Sequence, residues 1–190
     1  MTTISAMMGV AARNDDERGA MIELDDLDAS EGDDDGAGLS WARARDLAAL
    51  EGPNRPPPPV DCPPFICCLL PCLSSLPSMR AYARAVPEDA LVMRDDAWTD
   101  VDARDVVRGD LVLVRDGESA PADFVVRSCD DFEVSLKHVT GETAPKRPKP
   151  GDEVYLGAVV LRGSAQGRVV AIGAETALAQ RIAEGAWPPR

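Results

Sequence analysis

From Ala90 to Ile172 every apolar stretch is short, rich in Val, Leu and Ala, and soon cut by Gly, Asp or Pro. A helix needs a longer unbroken window to bury one face, whereas a strand of about four to eight residues does not. The spacing predicts strands at Ala90–Arg94, Trp98–Val101, Leu111–Val114, Asp123–Arg127, Phe132–Ser135, Val154–Leu161 and Gly167–Ile172. Asp95 and Asp96 join the first two as a hairpin. Gly109–Asp110 and Asp116–Gly117 are turns, and Lys146–Gly151 is a loop. A short helix over Thr176–Glu184, with Leu178 and Ile182 one turn apart, stops at Gly185. Many short strands with frequent turns imply a mainly β fold: a sandwich, jelly roll or distorted barrel. Aromatic residues are 4% of the chain, so the core must be built from Val, Leu, Ala and Ile.

Upstream the character changes. Residues 1–38 are acidic and poor in large apolar groups, with the run Glu31–Gly36 as their extreme, and are expected to be disordered. Residues 39–60 hold a short helix and a linker. Ser40 is its cap, and Trp41, Ala44, Leu47, Ala48 and Leu50 fall on one side. Gly52 and Pro53 end the helix, and Arg55–Pro59 is stiff and extended. Residues 61–80 form a Cys-rich apolar segment interrupted by Pro71. Residues 85–185 are the β domain.

Four of the five cysteines, Cys62, Cys67, Cys68 and Cys72, fall in that apolar segment. S-acylation of two or more of them would anchor the chain at a membrane surface. Plain packing and a metal site are the alternatives, the latter disfavoured because no C-x-x-C pair is present. The segment is too short to cross a bilayer. Met1–Ala12 lacks a basic and apolar leader pattern, so a cytosol-facing protein with reduced thiols is expected. The net charge of −13 repels phosphate backbones and argues against nucleic-acid binding. With one histidine, His138, neither a His-rich metal site nor a Ser-His-Asp triad is supported. No cofactor and no metal are expected.

Five short motifs then occur in order. They are Val107–Asp110 (V-R-G-D), Gly117–Asp123 (G-E-S-A-P-A-D), Thr140–Thr143 (T-G-E-T), Pro150–Val154 (P-G-D-E-V) and Gly173–Ala177. Together they resemble the actuator domain of P-type ATPases over roughly residues 85–184. The upstream stretch Gly38–Asn54, with its G-P-N ending and trailing prolines, is similar to the N-terminal segment of cation pumps. The resemblance implies a distorted jelly roll that carries its T-G-E loop to a phosphorylated aspartate. It assigns Glu142 to orienting the hydrolytic water, with Thr140, Gly141 and Thr143 shaping the loop. Without the resemblance, Gly141–Glu142 reads as a turn with a solvated carboxylate.

The sequence departs from the pattern in places. Ser135, Lys137 and Val139 stand where pumps carry Asp, Ser and Leu before the T-G-E. Arg108 replaces a proline and Glu118 an aspartate. No D-K-T-G phosphorylation motif is present, and only Arg55–Ala83 lies where pumps place a membrane hairpin. This sequence alone therefore forms no phosphoenzyme. The first expectation is a non-catalytic regulatory or binding module on the cytoplasmic side of a membrane, docking on a P-type ATPase or another phosphoprotein. The second is a fragment or trans-acting part of a cation-transporting pump, in which Glu142 assists aspartyl-phosphate hydrolysis.

Overall fold

The computed structural model describes residues 38–60 and 76–189. The acidic run and Cys62, Cys67, Cys68 and Cys72, on which the expectations of disorder and acylation rest, lie outside the described residues. The described chain runs α1 (Trp41–Glu51), α2 (Pro77–Ala85), β1 (Asp89–Arg94), β2 (Ala97–Asp102), β3 (Leu111–Arg115), β4 (Asp123–Ser135), β5 (Glu153–Val154), β6 (Val159–Ala171) and α3 (Ala177–Ala183). Single 3₁₀ turns lie between β2 and β3, at Ala103–Asp105, and between β6 and α3, at Gly173–Glu175.

The fold is mainly β with short flanking helices. Its six strands form one open sheet in the order β2-β1-β3-β6-β4-β5, every neighbour antiparallel. The hairpin β1–β2 turns on Asp95 and Asp96, both at positive φ, as a turn matched to strand twist requires. Aspartate is among the few residues that accept that geometry without glycine.

Two breaks predicted from the sequence are absent. Asp123–Arg127 and Phe132–Ser135 belong to one strand, β4, of 13 residues. Val159–Ala171 is likewise a single strand of 13 residues, while Val154 pairs separately in β5. The polar run Ser128–Asp131 interrupts neither strand: Cys129 lies opposite Ala165 and Asp130 opposite Ser164. Register shifts along β4 and β6 mark bulges, which strengthen local twist. Gly167 is a close approach inside the strand, where a Cβ would collide with the Phe124 ring. The helix expected at Thr176–Glu184 starts at Ala177, with Thr176 as its cap. Helix α2 falls where the sequence pattern predicts no helix. Its signal is Pro77 in the first turn, where the missing N–H costs nothing.

The main core is a Val- and Ala-rich cluster drawn from β1, β3, β4, β5 and β6, with Phe124 and Phe132 its bulkiest members. A second cluster joins Ala85, Val139, Leu156, Leu178 and Trp187. A third, Leu39, Ala44 and Val107, seats α1. The apolar side expected of α1 is only partly covered. Leu47 and Ala48 pack, but Leu50 is 62% exposed. Trp41 instead lies over the Arg94 guanidinium, 4.7 Å from its ring centre.

Candidate functional site

Strand β4 runs into buried Leu136, and the chain turns at once. Val139 N–H and Thr140 N–H both donate to the Leu136 carbonyl, at 2.9 and 2.8 Å. Val139 points down into the second cluster, where it is 1% exposed. This seat explains why an apolar β-branched residue precedes the Thr. Thr140 Oγ1 donates to Leu136 O at 3.4 Å and accepts from Glu142 N at 3.4 Å. Gly141 has φ +82°, a conformation other residues adopt only under strain. The Thr-Gly pair thus folds a tight corner that lifts Glu142 to the surface.

The returning side of the loop is closed by a two-bond bridge. Val134 N donates to Lys146 O at 2.8 Å, and Lys146 N to Val134 O at 2.9 Å. The Lys146 Nζ lies 2.7 Å from Glu142 Oε2, with the two side chains about half exposed (50% and 48%). Lys137 and His138 are exposed at the start of the same loop. Thr143 is also exposed. The site is therefore a carboxylate on a braced corner, open to solvent and held by an ammonium. Such a pair stabilises little by itself. It does set a carboxylate, which can accept a proton, and a cation side by side at the surface.

The other motif residues build the body behind the loop. Asp110 is fully buried and grips Arg94: Nη2–Oδ2 is 2.8 Å and Nε–Oδ1 3.3 Å. Asp123 accepts from Leu156 N and Ala177 N, each at 2.7 Å, tying β4 to the turn after β5 and to the start of α3. Burial pushes the Asp123 carboxyl above the usual carboxylate range, opposed by those two N–H donors. Asp152 accepts from Lys149 N at 2.8 Å and closes the turn before β5. Arg108 ion-pairs with Glu175, and with Glu51 at 3.5 Å, so it bridges α1 to the turn before α3. Glu118, in the position of an aspartate, still accepts a turn N–H, from Arg115 at 2.9 Å.

Sequence reasoning places Asn54 between the helix and the linker, at the close of the G-P-N motif, and gives it no further role. In the fold it is buried, donates to Ala103 O and Pro121 O at 2.8 Å each, and accepts from Gly173 N at 2.9 Å. Trp187 and Lys146 are likewise missed by sequence reasoning, since both reach the loop only through folding. Among the described residues no group of three or more His, Cys, Asp or Glu is placed to hold a metal ion. Among them, too, no helix is long and apolar enough to cross a membrane.

A family model described as the P-type ATPase actuator domain matches residues 84–185. A Methanocaldococcus jannaschii protein named as a putative cation-transporting ATPase is 38% identical over 88 residues, 46% of this chain and 11% of that protein. A Dictyostelium discoideum protein named as a probable plasma membrane ATPase is 37% identical over 99 residues, 52% of this chain and 9% of that protein. The chain thus spans about a tenth of the length of these curated relatives. Among solved structures, a zinc-transporting PIB-type ATPase in its E2.Pi state aligns at a TM-score of 0.50 and 25% identity, over 58% of this chain and 19% of that one.

Proposed function

The chain belongs to the P-type ATPase actuator-domain family, and we propose accordingly that it presents the Thr140–Gly141–Glu142 corner to an aspartyl phosphate carried by a cation-transporting ATPase. The observation that carries the reading is the Glu142–Lys146 pair on a loop braced from below. An arriving phosphoryl group competes for the Lys146 ammonium. The freed Glu142 carboxylate then accepts a hydrogen bond from the attacking water and draws its proton as the new phosphorus–oxygen bond forms and the bond to the aspartyl oxygen breaks, releasing the aspartate carboxylate and inorganic phosphate. Gly141, at φ +82°, turns the backbone so that Glu142 is presented outward to the phosphoryl group. Lys137 and Lys146, with His138 beside them, give this loop a positive bias on a chain of net charge −13, which favours an anionic partner at this point of the surface.

The test supplies the chain to a cation-transporting ATPase whose own loop glutamate has been replaced by alanine, and follows phosphoenzyme decay. The wild-type chain is expected to speed decay. Glu142→Ala is expected to lose that effect by a factor on the order of 10² or more, the usual weight of a positioned proton acceptor. Equal decay with and without the chain would sink the reading. Supplying the loop in trans carries an orientational cost that a tether removes, so high chain concentrations are needed.

A second reading is a regulatory module at the cytoplasmic side of a membrane, and the Cys62, Cys67, Cys68 and Cys72 cluster is what favours it. Two acyl chains hold a protein on a bilayer where one does not. Changing all four to serine is then expected to move the protein from the membrane pellet to the supernatant. Unchanged sedimentation would leave the cluster without a lipid role.

A further inference from the structure

Beyond α3 the chain turns back toward the loop. Gly185 N donates to Ile182 O at 3.0 Å and Ala186 N to Arg181 O at 2.9 Å. Trp187 comes next and is 6% exposed, its ring packed with Ala85, Val139, Leu156 and Leu178. Tyr82 meets it edge to face, at 6.4 Å between ring centres. A buried indole N–H needs an acceptor. Trp187 Nε1 finds it in the His138 carbonyl at 2.8 Å, two residues before Thr140. Pro189 then lies against Gly141: a Cβ placed on that glycine would sit 2.7 Å from Pro189 Cβ.

The geometry points to Gly185–Pro189 as a strap that sets the position of the Thr140–Gly141–Glu142 corner, with Trp187 and Pro189 as positioning residues. The loop has two limbs. The returning limb is held by the Val134–Lys146 bridge. The outgoing limb, from Lys137 to Gly141, is held by buried Val139 below it and by the strap beside it. Removing the indole N–H frees the His138 carbonyl and loosens that limb while leaving the other in place. The corner then samples more positions, and Glu142 spends less time where a water needs it. The catalytic consequence rests on the proposed role of Glu142; the loop-setting role does not.

The experiment uses the full chain and the variants Trp187→Phe, which keeps an aromatic ring, and Pro189→Gly, which removes the contact at Gly141. Backbone hydrogen exchange is followed at Val139, Thr140 and Glu142, with Val134 and Val169 as references. Exchange at the three loop amides is expected to rise on the order of fivefold in Trp187→Phe, the weight of one lost hydrogen bond, and by a smaller factor in Pro189→Gly, which loses only a packing contact, with the references unchanged in both. In the phosphoenzyme assay, the maximal decay rate is expected to fall several-fold, with the chain concentration for half-effect unaltered. Unchanged loop exchange in both variants, or a rise shared equally by the references, would overturn the strap. A loop change with an unaltered maximal rate would overturn the positioning role. If the wild-type chain leaves phosphoenzyme decay untouched, the proposed role of Glu142 fails while the exchange result still decides the strap.

Discussion

Replacing Asp110 with alanine is expected to lower the unfolding free energy by about 3–5 kcal/mol, the cost of stranding one member of a buried ion pair. The whole domain has only about 5–15 kcal/mol to lose. The reason lies in the partner left behind. Arg94 is 3% exposed and Asp110 fully buried, so the orphaned guanidinium cannot reach water without moving β1. Asp105 O, at 2.7 Å from Nη2, and the Trp41 ring would still face it. Neither carries a negative charge. Val107 N–H would lose its acceptor too, since it donates to Asp110 Oδ2 at 3.0 Å. Urea unfolding followed by circular dichroism measures the loss directly. The double change Asp110→Leu with Arg94→Met is expected to recover most of it, because an apolar pair needs no charge compensation. A single-variant loss below about 1 kcal/mol would mean that Arg94 escapes to solvent and the pair is not a structural element.

Asn54→Ala is expected to cost about 2–6 kcal/mol, from roughly 1–3 kcal/mol for each of two buried groups left without a partner. They are the Pro121 carbonyl and the Gly173 N–H; the Ala103 carbonyl also loses the Asn54 amide but keeps the Val106 N–H at 3.4 Å. Asn54→Asp separates shape from chemistry. It keeps an acceptor for Gly173 N–H but turns a second oxygen toward two carbonyls, so it is expected to be no better than alanine. If aspartate restored stability in thermal unfolding, the amide donors would be dispensable and the staple would reduce to its Gly173 bond.

Local chemistry makes much of the fold readable. Asp95-Asp96 announces a hairpin because aspartate tolerates positive φ at both turn positions. Ser40 announces a helix start, and its hydroxyl does accept from Arg43 N at 3.2 Å. The two long strands are illegible in the sequence because glycine and charge look like turn punctuation. In β6 the glycine of the misread gap is Gly163, at φ +76° and close against the Asp130 and Asp131 backbone of the neighbouring strand, a fact visible only after pairing. In β4 the charged run faces solvent while the strand continues through it. The loop at Thr140–Glu142 is readable through its motif, with Gly141 at the expected corner. Its supports are not. Trp187 is 49 residues from the carbonyl it binds, and the partners of Asn54 are 49, 67 and 119 residues away. No short window along the chain contains both ends of such a bond. Lys146 reads as one of several basic residues in a loop until the Val134 bridge places it beside Glu142.

Asn54 stands where the chain comes off α1, and Gly173 where it leaves β6. A single amide rivets entrance to exit. Whatever pulls on the approach from α1 therefore also pulls on the departure into α3, and the load is shared before any strand is peeled. A body fastened in this way answers a pull at either flank as one piece rather than by shear between its strands.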